Sequence, residues 1–452
     1  MNGLPARCEV LVVGAGPAGS ACAQWLARHG VDTLLVDQHD FPRDKTCGDG
    51  LIPDAHAALK RLGVHDEVMA HAQTAGDVRC VAPSGRHVDV PGTLAVLPRR
   101  ELDHLLVQAA QRAGAVLATP WRFEAPLRDE SGRVTGARLR RAGRGAAAAQ
   151  ATDPSPGPHP HDANDPPAAM ADVQAGHVVL ATGAAPQALV ASGLCDRRAP
   201  SAMGLRGYIR HEALERDLQG LRQRLEVFWH RRLKPGYGWI FPCPGGVYNI
   251  GVGIIDSHRP ARDGAPDRSA MRGLNLRDVF ADFTRLHAPA RALVEGGTWV
   301  GRLEGAPLRS SLQGARWAAP GILVTGEAAG STYSFTGEGI GKAMETGLLA
   351  AEALLQAGAG DAATGHRTFK ATPSADAALA ADYTARLARL KPKFALYERG
   401  NTVNHHPWLT ELLVRRAAAS PAIRRRMSDL LEERATPAQL ITLRGMVKLL
   451  TS

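Results

Sequence analysis

Two hydrophobic periods divide this chain. Near the start a short apolar run, Glu9–Val13, is followed by a helically spaced stretch, Ala18–His29, and by a second apolar run, Thr33–Val36. Apolar runs this short predict strands buried on both faces, and the helix between them predicts a parallel β-α-β unit. Helical spacing returns at Ala55–Leu62, Arg100–Arg112 and Gly339–Leu355, and apolar runs return at His177–Leu180 and Gly321–Thr325. From Met203 to Ile255 the period shortens to every second residue, which predicts half-buried strands of a different kind of sheet. From about Thr372 onward the pattern is helical throughout. One stretch, Arg138–Asp172, carries neither period. It is rich in Ala, Pro, His and Asp, too poor in apolar side chains to offset the entropy of ordering it, and reads as a disordered surface insert over 141–172.

Composition narrows the class. A chain of 452 residues exceeds the roughly 150 residues of one typical domain. With 44% hydrophobic and 22% charged residues it is globular rather than disordered or fibrous. The net charge of +10 (54 basic, 44 acidic) invites a nucleic-acid or membrane reading. Only eight of the basic residues are lysine, however, and no zinc finger, helix-turn-helix or RNA-binding aromatic signature accompanies the arginines. No nucleic-acid partner is expected. Arg415, Arg416, Arg424, Arg425 and Arg426, interleaved with Leu412, Leu413, Ile423 and Met427, form either a peripheral membrane contact or a solvated helix face. Six cysteines without a CxxC pair, no signal-like start and no long uncharged apolar window suit a reducing cytoplasm, with peripheral contact at the inner face of the membrane. His159 and His161 fall in the low-complexity insert and read as solvated, so no metal is expected.

The chemistry begins at Gly14-Ala15-Gly16-Pro17-Ala18-Gly19, between the first strand and its helix. Gly14 permits a tight turn, Gly16 lets the backbone approach a pyrophosphate, and Gly19 allows close helix–strand packing. The helix start then offers free N–H groups and a positive dipole end to the phosphates. Asp37 ends the second strand 18 residues past Gly19 and is placed to accept ribose hydroxyls, which suits FAD or NAD and disfavours a 2′-phosphate. No second dinucleotide motif appears. Instead a late strand ends in Gly326-Glu327, and Ser334-Phe335-Thr336-Gly337-Glu338-Gly339-Ile340-Gly341 opens a helix. Two helix starts so far apart fit the two halves of one extended FAD; the plainer reading of the second is a tight loop and cap. Tyr237, Trp239 and Phe241 alternate on one strand, so their rings share a face, either an apolar cavity wall or sheet core.

These pieces together resemble the geranylgeranyl reductase family, within the flavoproteins of the p-hydroxybenzoate hydroxylase fold. The likeness rests on the glycine motif with Asp37, on Arg43-Asp44-Lys45-Thr46-Cys47-Gly48-Asp49-Gly50, on Arg99 with Leu102 and Asp103, on Ala181-Thr182-Gly183, on Tyr237-Gly238-Trp239-Ile240-Phe241-Pro242 and on Thr336–Ile340. It implies an α/β (α+β overall) architecture. A discontinuous Rossmann-type FAD domain (1–75, 98–200, 305–355) would be interrupted by a β-sheet substrate domain (76–97, 201–304) and followed by a helical region (356–452). It implies that Gly14, Gly16, Pro17, Ala18, Gly19, Asp37, Arg43, Lys45, Gly48, Arg99, Thr182, Gly183, Gly326, Glu327, Gly337, Gly339 and Ile340 surround the cofactor. Tyr237, Trp239 and Phe241 would line the substrate cavity. Cys47 stands as a proton donor or substrate contact, or as a small buried hydrophobe. Glu327 departs from the usual aspartate, and the 138–172 insert replaces a short hairpin.

The activity implied is reduction of C=C bonds in a prenyl or other apolar isoprenoid chain by hydride from reduced flavin. NAD(P)H, a ferredoxin-like carrier or a quinol would serve as external reductant. The alternatives are an FAD-dependent monooxygenase or halogenase on an apolar or aromatic small molecule, and a membrane-surface binding protein with a vestigial flavin site. Halogenases carry W-x-W-x-I-P where this chain has Tyr237 and Phe241 at the outer positions.

Overall fold

The computed structural model describes residues 4–143, 169–211, 220–255, 273–360, 367–368 and 372–435. Two eight-stranded sheets organise them. The first contains β1 (Arg7–Val13), β2 (Thr33–Val36), β6 (Val116–Ala118), β7 (Trp121–Arg128), β8 (Val134–Arg141), β9 (Met170–Leu180), β15 (Ala318–Ala319) and β16 (Ile322–Val324). Its order is 15-16-9-1-2-6, and β16, β9, β1, β2 and β6 run parallel. Val10–Val12 and Leu35–Val36 are wholly buried, as expected of parallel strands covered on both faces. The helix Pro17–Arg28 covers one face, and the helix Ile340–Ala357 packs on it. Both helix Pro17–Arg28 and helix Pro53–Leu62 start at a proline, where a missing N–H costs nothing; the second therefore begins two residues before the spacing alone suggests.

The expectation of an unstructured insert needs correcting at its edges. Strands β8 and β9 pair antiparallel from Gly136↔Gln174 to Arg140↔Met170, so ordered hairpin reaches inside both ends of 138–172. Ala137, Leu139 and Val173 point into the core, while Arg138 pairs with Asp172 at 2.8 Å and Arg140 with Glu124 at 2.6 Å on the outer side. Charged outer positions hid the alternation. Residues 144–168, His159 and His161 among them, lie outside the described residues.

The second sheet contains β3 (Gly50–Leu51), β4 (Gln73–Val81), β5 (His87–Val96), β10 (Ala202–Arg210), β11 (Arg224–Phe228), β12 (Gly236–Cys243), β13 (Val247–Ile255) and β14 (Thr298–Leu308). The order is 14-10-13-12-11-4-5-3, antiparallel except where β11 meets β4. Ile240, Ile250 and Val252 face helices Leu276–Leu286 and Ala288–Gly296, whose Phe283 lies directly over Gly238. The opposite face carries Tyr237, Trp239 and Phe241.

The C-terminal helices join the two sheets. On helix Pro373–Ala388, Tyr383 donates to the Val324 carbonyl at 2.7 Å, and the buried Asp376 takes Arg133 at 2.6 Å. Val414 and Ile423, on helices Pro407–Ala419 and Pro421–Leu431, pack on Val88 and Val90 of β5. Residues 436–452 lie outside the described residues. Among those described, no helix is long and apolar enough to cross a membrane.

Candidate active site

The glycine turn is built by exclusion. Gly14 has φ +100°, and a Cβ there would lie 2.4 Å from the Ala181 carbonyl oxygen; one on Gly19 would lie 1.8 Å from the Gly14 oxygen. Any larger residue drives β1, β9 and the helix apart. Gly16 differs: its nearest neighbours are the guanidinium nitrogens of Arg99 and Arg43, at 3.6 and 3.7 Å from a Cβ placed there. The result is an open notch at a helix start, lined by two cations, which fits a pyrophosphate. Pro17 and Ala18 form the first turn and are buried. Gly326, at φ +65°, brings its backbone against Ala18, where a Cβ would sit 2.5 Å from the alanine methyl. The Thr182 hydroxyl is buried without a hydrogen-bond partner among the described residues, a group left for a ligand, and Gly183 follows at φ +73° with nothing among them crowding it.

Asp37 accepts from the Ala15 N–H at 2.8 Å and the His39 N–H at 3.0 Å, with Arg43 at 3.7 Å. Burial pushes its carboxyl upward, but Arg43, His39 and these donors outweigh it and hold the group below the usual carboxylate range. Arg43 also reaches Asp103 at 3.0 Å, and Asp103 grips Arg99 through two bonds of 2.6 and 2.8 Å. Asp103 is fully buried, so both guanidiniums are fixed beside the notch. Lys45 and Glu327 influence one another: burial lowers Lys45 while Glu327 pulls it back up, and burial raises Glu327 while Lys45 and Arg99 pull it down. Thr332 donates to Glu327 at 3.2 Å. The longer glutamate is thus accommodated by a hydroxyl and two cations.

The aromatic strand closes the other side. Ring centroids of Tyr237 and Trp239 are 6.3 Å apart, and those of Trp239 and Phe241 6.4 Å apart. The Trp239 indole lies over Gly251, where a Cβ would come within 2.3 Å of it. A Cβ on Gly48 would touch Phe241 at 3.4 Å and lie 3.7 Å from the Trp239 indole nitrogen, so the Cys47–Gly48 turn runs beside this row. Burial raises the Cys47 thiol, Asp49 adds to the effect, and Arg99 opposes it. The Tyr237 hydroxyl donates to the Thr336 carbonyl beside Gly337, whose φ is +71°. Gly339 closes on Thr332, whereas the Ile340 side chain enters the core with Leu51, Ala55 and Leu59.

The site also holds residues that periodicity and motif spacing do not reveal. Trp229 extends the row, 5.8 Å from Tyr237, and donates to the buried Asn404 at 2.8 Å; Asn404 in turn donates to the Phe335 carbonyl at 2.9 Å. Tyr208 and Asn249 join Asp49 of the Arg43–Gly50 block in a polar group behind Cys47. For Trp239 a signal was present: the alternate glycines Gly251 and Gly253 on the partner strand leave room for a large ring.

Comparison with known proteins agrees with this geometry. An FAD binding domain matches residues 7–150. The menaquinone reductase of Mycolicibacterium smegmatis is 31% identical over 366 residues, covering 78% of each chain. The digeranylgeranylglycerophospholipid reductase of Methanothrix thermoacetophila is 28% identical over 359 residues, also covering 78% of each. A solved geranylgeranyl bacteriochlorophyll reductase-like protein from Thermoplasma acidophilum shares the fold, with TM-score 0.64 and 20% identity over 99% of this chain and 96% of its own. The protein is an FAD-dependent oxidoreductase. Within that class it belongs to the geranylgeranyl reductase family, of the menaquinone reductase and geranylgeranyl reductase type.

Proposed function

We propose that this flavoprotein saturates C=C bonds in the prenyl chain of a lipid or quinone. The observation that carries the reading is the nearness of the Cys47–Gly48 turn to the Trp239–Phe241 face: Asn249, which accepts from the Trp239 indole, donates to the Cys47 carbonyl, and a methyl placed on Gly48 would reach Phe241. The names of the relatives, one for menaquinone and one for a digeranylgeranyl lipid, support an isoprenoid substrate. Bound FAD, once reduced, supplies hydride. The remaining work belongs to the chain. Gly16, in the turn that Gly14 and Gly19 make possible, faces the pyrophosphate, and Asp37 holds the ribose. Arg43 and Arg99, fixed by Asp103, balance the phosphate charge. Lys45, Thr182 and Glu327, with the Gly337–Gly339 turn, flank the rest of the cofactor.

An isolated alkene that accepts hydride at one carbon needs a proton at the other. Cys47, kept as a thiol by burial and Asp49, gives that proton, and Arg99 stabilises the thiolate left behind. Tyr237, Trp239 and Phe241 exclude water and hold the chain extended. Exposed Arg424, Arg425 and Arg426, with Trp408 at 64% exposure on the adjoining helix, are the surface by which the enzyme meets an anionic bilayer to collect such a substrate.

The test is anaerobic. Dithionite-reduced holoenzyme is mixed with a menaquinone bearing an unsaturated side chain and, separately, with a geranylgeranyl lipid. Reoxidation of the flavin without O₂, with two hydrogens gained in the prenyl chain rather than on the quinone ring alone, supports the reading. A flavin that stays reduced with both, and reoxidises only on admission of O₂, overturns it in favour of oxygen chemistry.

A further inference from the structure

Asn249, on β13, is completely buried and almost fully employed. Its Oδ1 accepts from the Trp239 indole N–H at 2.9 Å, while its Nδ2 donates to the Cys47 carbonyl at 2.8 Å and to the Asp49 carboxylate at 2.7 Å. Asp49 is also wholly buried and adopts φ +64°, a left-handed turn that few residues other than Gly, Asn and Asp accept. It takes the Tyr208 hydroxyl at 2.5 Å on Oδ2 and the Arg99 N–H at 3.2 Å on Oδ1, so it also anchors the start of helix Arg99–Arg112. One amide and one carboxylate thus join three segments far apart in the chain: the Cys47 turn, the Arg99 helix start and the aromatic strand.

We infer that Asn249 and Asp49 are positioning residues that set the spacing between the aromatic wall and the Cys47 turn, so that substrate and thiol meet in one register. This rests on the reading of Trp239 and Phe241 as the substrate wall. The geometry leaves little slack. Asn249, Asp49 and the bonds linking them to each other and to the Arg99 N–H are buried, so breaking one of these strands a partner with no water at hand. Gly48 stands a methyl's reach from Phe241, so the turn has little room to move toward the wall. The charged and titratable groups facing the pair are Arg206 and Tyr208 on β10, Arg99 at its helix start, Cys47 on the turn and Cys243 on β12.

N249A and N249D test the inference in the flavin-loaded enzyme. N249A removes all three links. N249D keeps the acceptor for Trp239 but sets a second carboxylate against Asp49. A shared proton then restores one donor, so N249D should recover as pH falls from about 9 to about 6, and N249A should not. The expected result is normal flavin content, a roughly tenfold or greater loss of kcat/KM borne mainly by KM, and peptide-mapped alkylation of Cys47 faster by about tenfold relative to Cys195 in the same molecule. Wild-type kinetics with unchanged Cys47 labelling in both variants would overturn it, as would a pH response shared equally by N249A and N249D. If N249A does not fold, the isosteric N249D carries the test alone. Cys47 labelling needs no substrate, so a wild-type enzyme inert toward prenyl lipids would sink the functional reading while the positioning claim is still judged.

Discussion

The Tyr237 hydroxyl donates to the main-chain carbonyl of Thr336, 99 residues further along the chain. This single bond ties the aromatic strand of the second sheet to the turn that opens helix Ile340–Ala357 on the first. Y237F leaves that carbonyl without its donor while keeping the ring. The expected cost is about 1 kcal/mol of stability, read as a lower Tm, with a raised KM because the turn and wall are no longer tied. An unchanged melt and unchanged KM would show that the bond does not couple the two sheets.

That relationship also marks the boundary of what was legible in the residues. Gly14, Gly16, Gly19 and Asp37 belong to one contiguous β-α-β unit, where spacing alone places them together. Tyr237, Trp239 and Phe241 share a face by the simple two-residue period of a strand. Asn249, Tyr208 and Trp229 carry no such local mark. They meet only because Trp239 pairs with Gly251 in register and because the Cys47 turn folds back beneath β12. Pairing between distant strands is set by the whole core, so no window of sequence displays it. The ordered ends of 138–172 were hidden for another reason: arginines occupy the outer positions of a genuine hairpin.

The glycines of the first motif should separate into two kinds. G19A places a methyl 1.8 Å from the Gly14 oxygen, so it should destabilise the protein even without cofactor. G16A meets only the tips of two flexible arginines, so the cofactor-free protein should melt near wild type while losing FAD affinity by about tenfold or more. Thermal melts of the apo proteins and the flavin absorbance retained after dialysis check both. Equal melts for the two variants would contradict the assignment of Gly16 to the pyrophosphate.

Asp37 gives a pH-dependent signature. Its carboxyl is held below the ordinary value in the folded state, so its contribution is fully present above the unfolded value near about 4 and fades as pH falls through the folded value. The Tm gap between wild type and D37N should therefore be widest at neutral pH and narrow below about pH 4. Melts of the apo proteins across that range decide it. A gap that is constant, or that widens in acid, runs against the carboxylate role.

The outward arginines of helix Pro421–Leu431 make a salt-sensitive claim. Ile423 is buried on β5, which leaves Arg424, Arg425 and Arg426 facing out. Co-sedimentation with vesicles containing anionic phospholipid should be measurable at low salt, weaken as ionic strength rises, and drop in a triple Arg→Gln variant. Equal pelleting with neutral and anionic vesicles, or none at low salt, leaves these arginines as a solvated face.

The most direct measurement of the central claim is the mass of the lipid after a single anaerobic turnover of reduced holoenzyme with a polyprenyl quinone. The expected product is heavier by two hydrogens for each bond reduced, located by fragmentation in the prenyl chain and missing or strongly reduced when Cys47 is replaced by alanine. Recovery of the prenyl chain unchanged, with hydrogens gained only on the quinone ring, would contradict it.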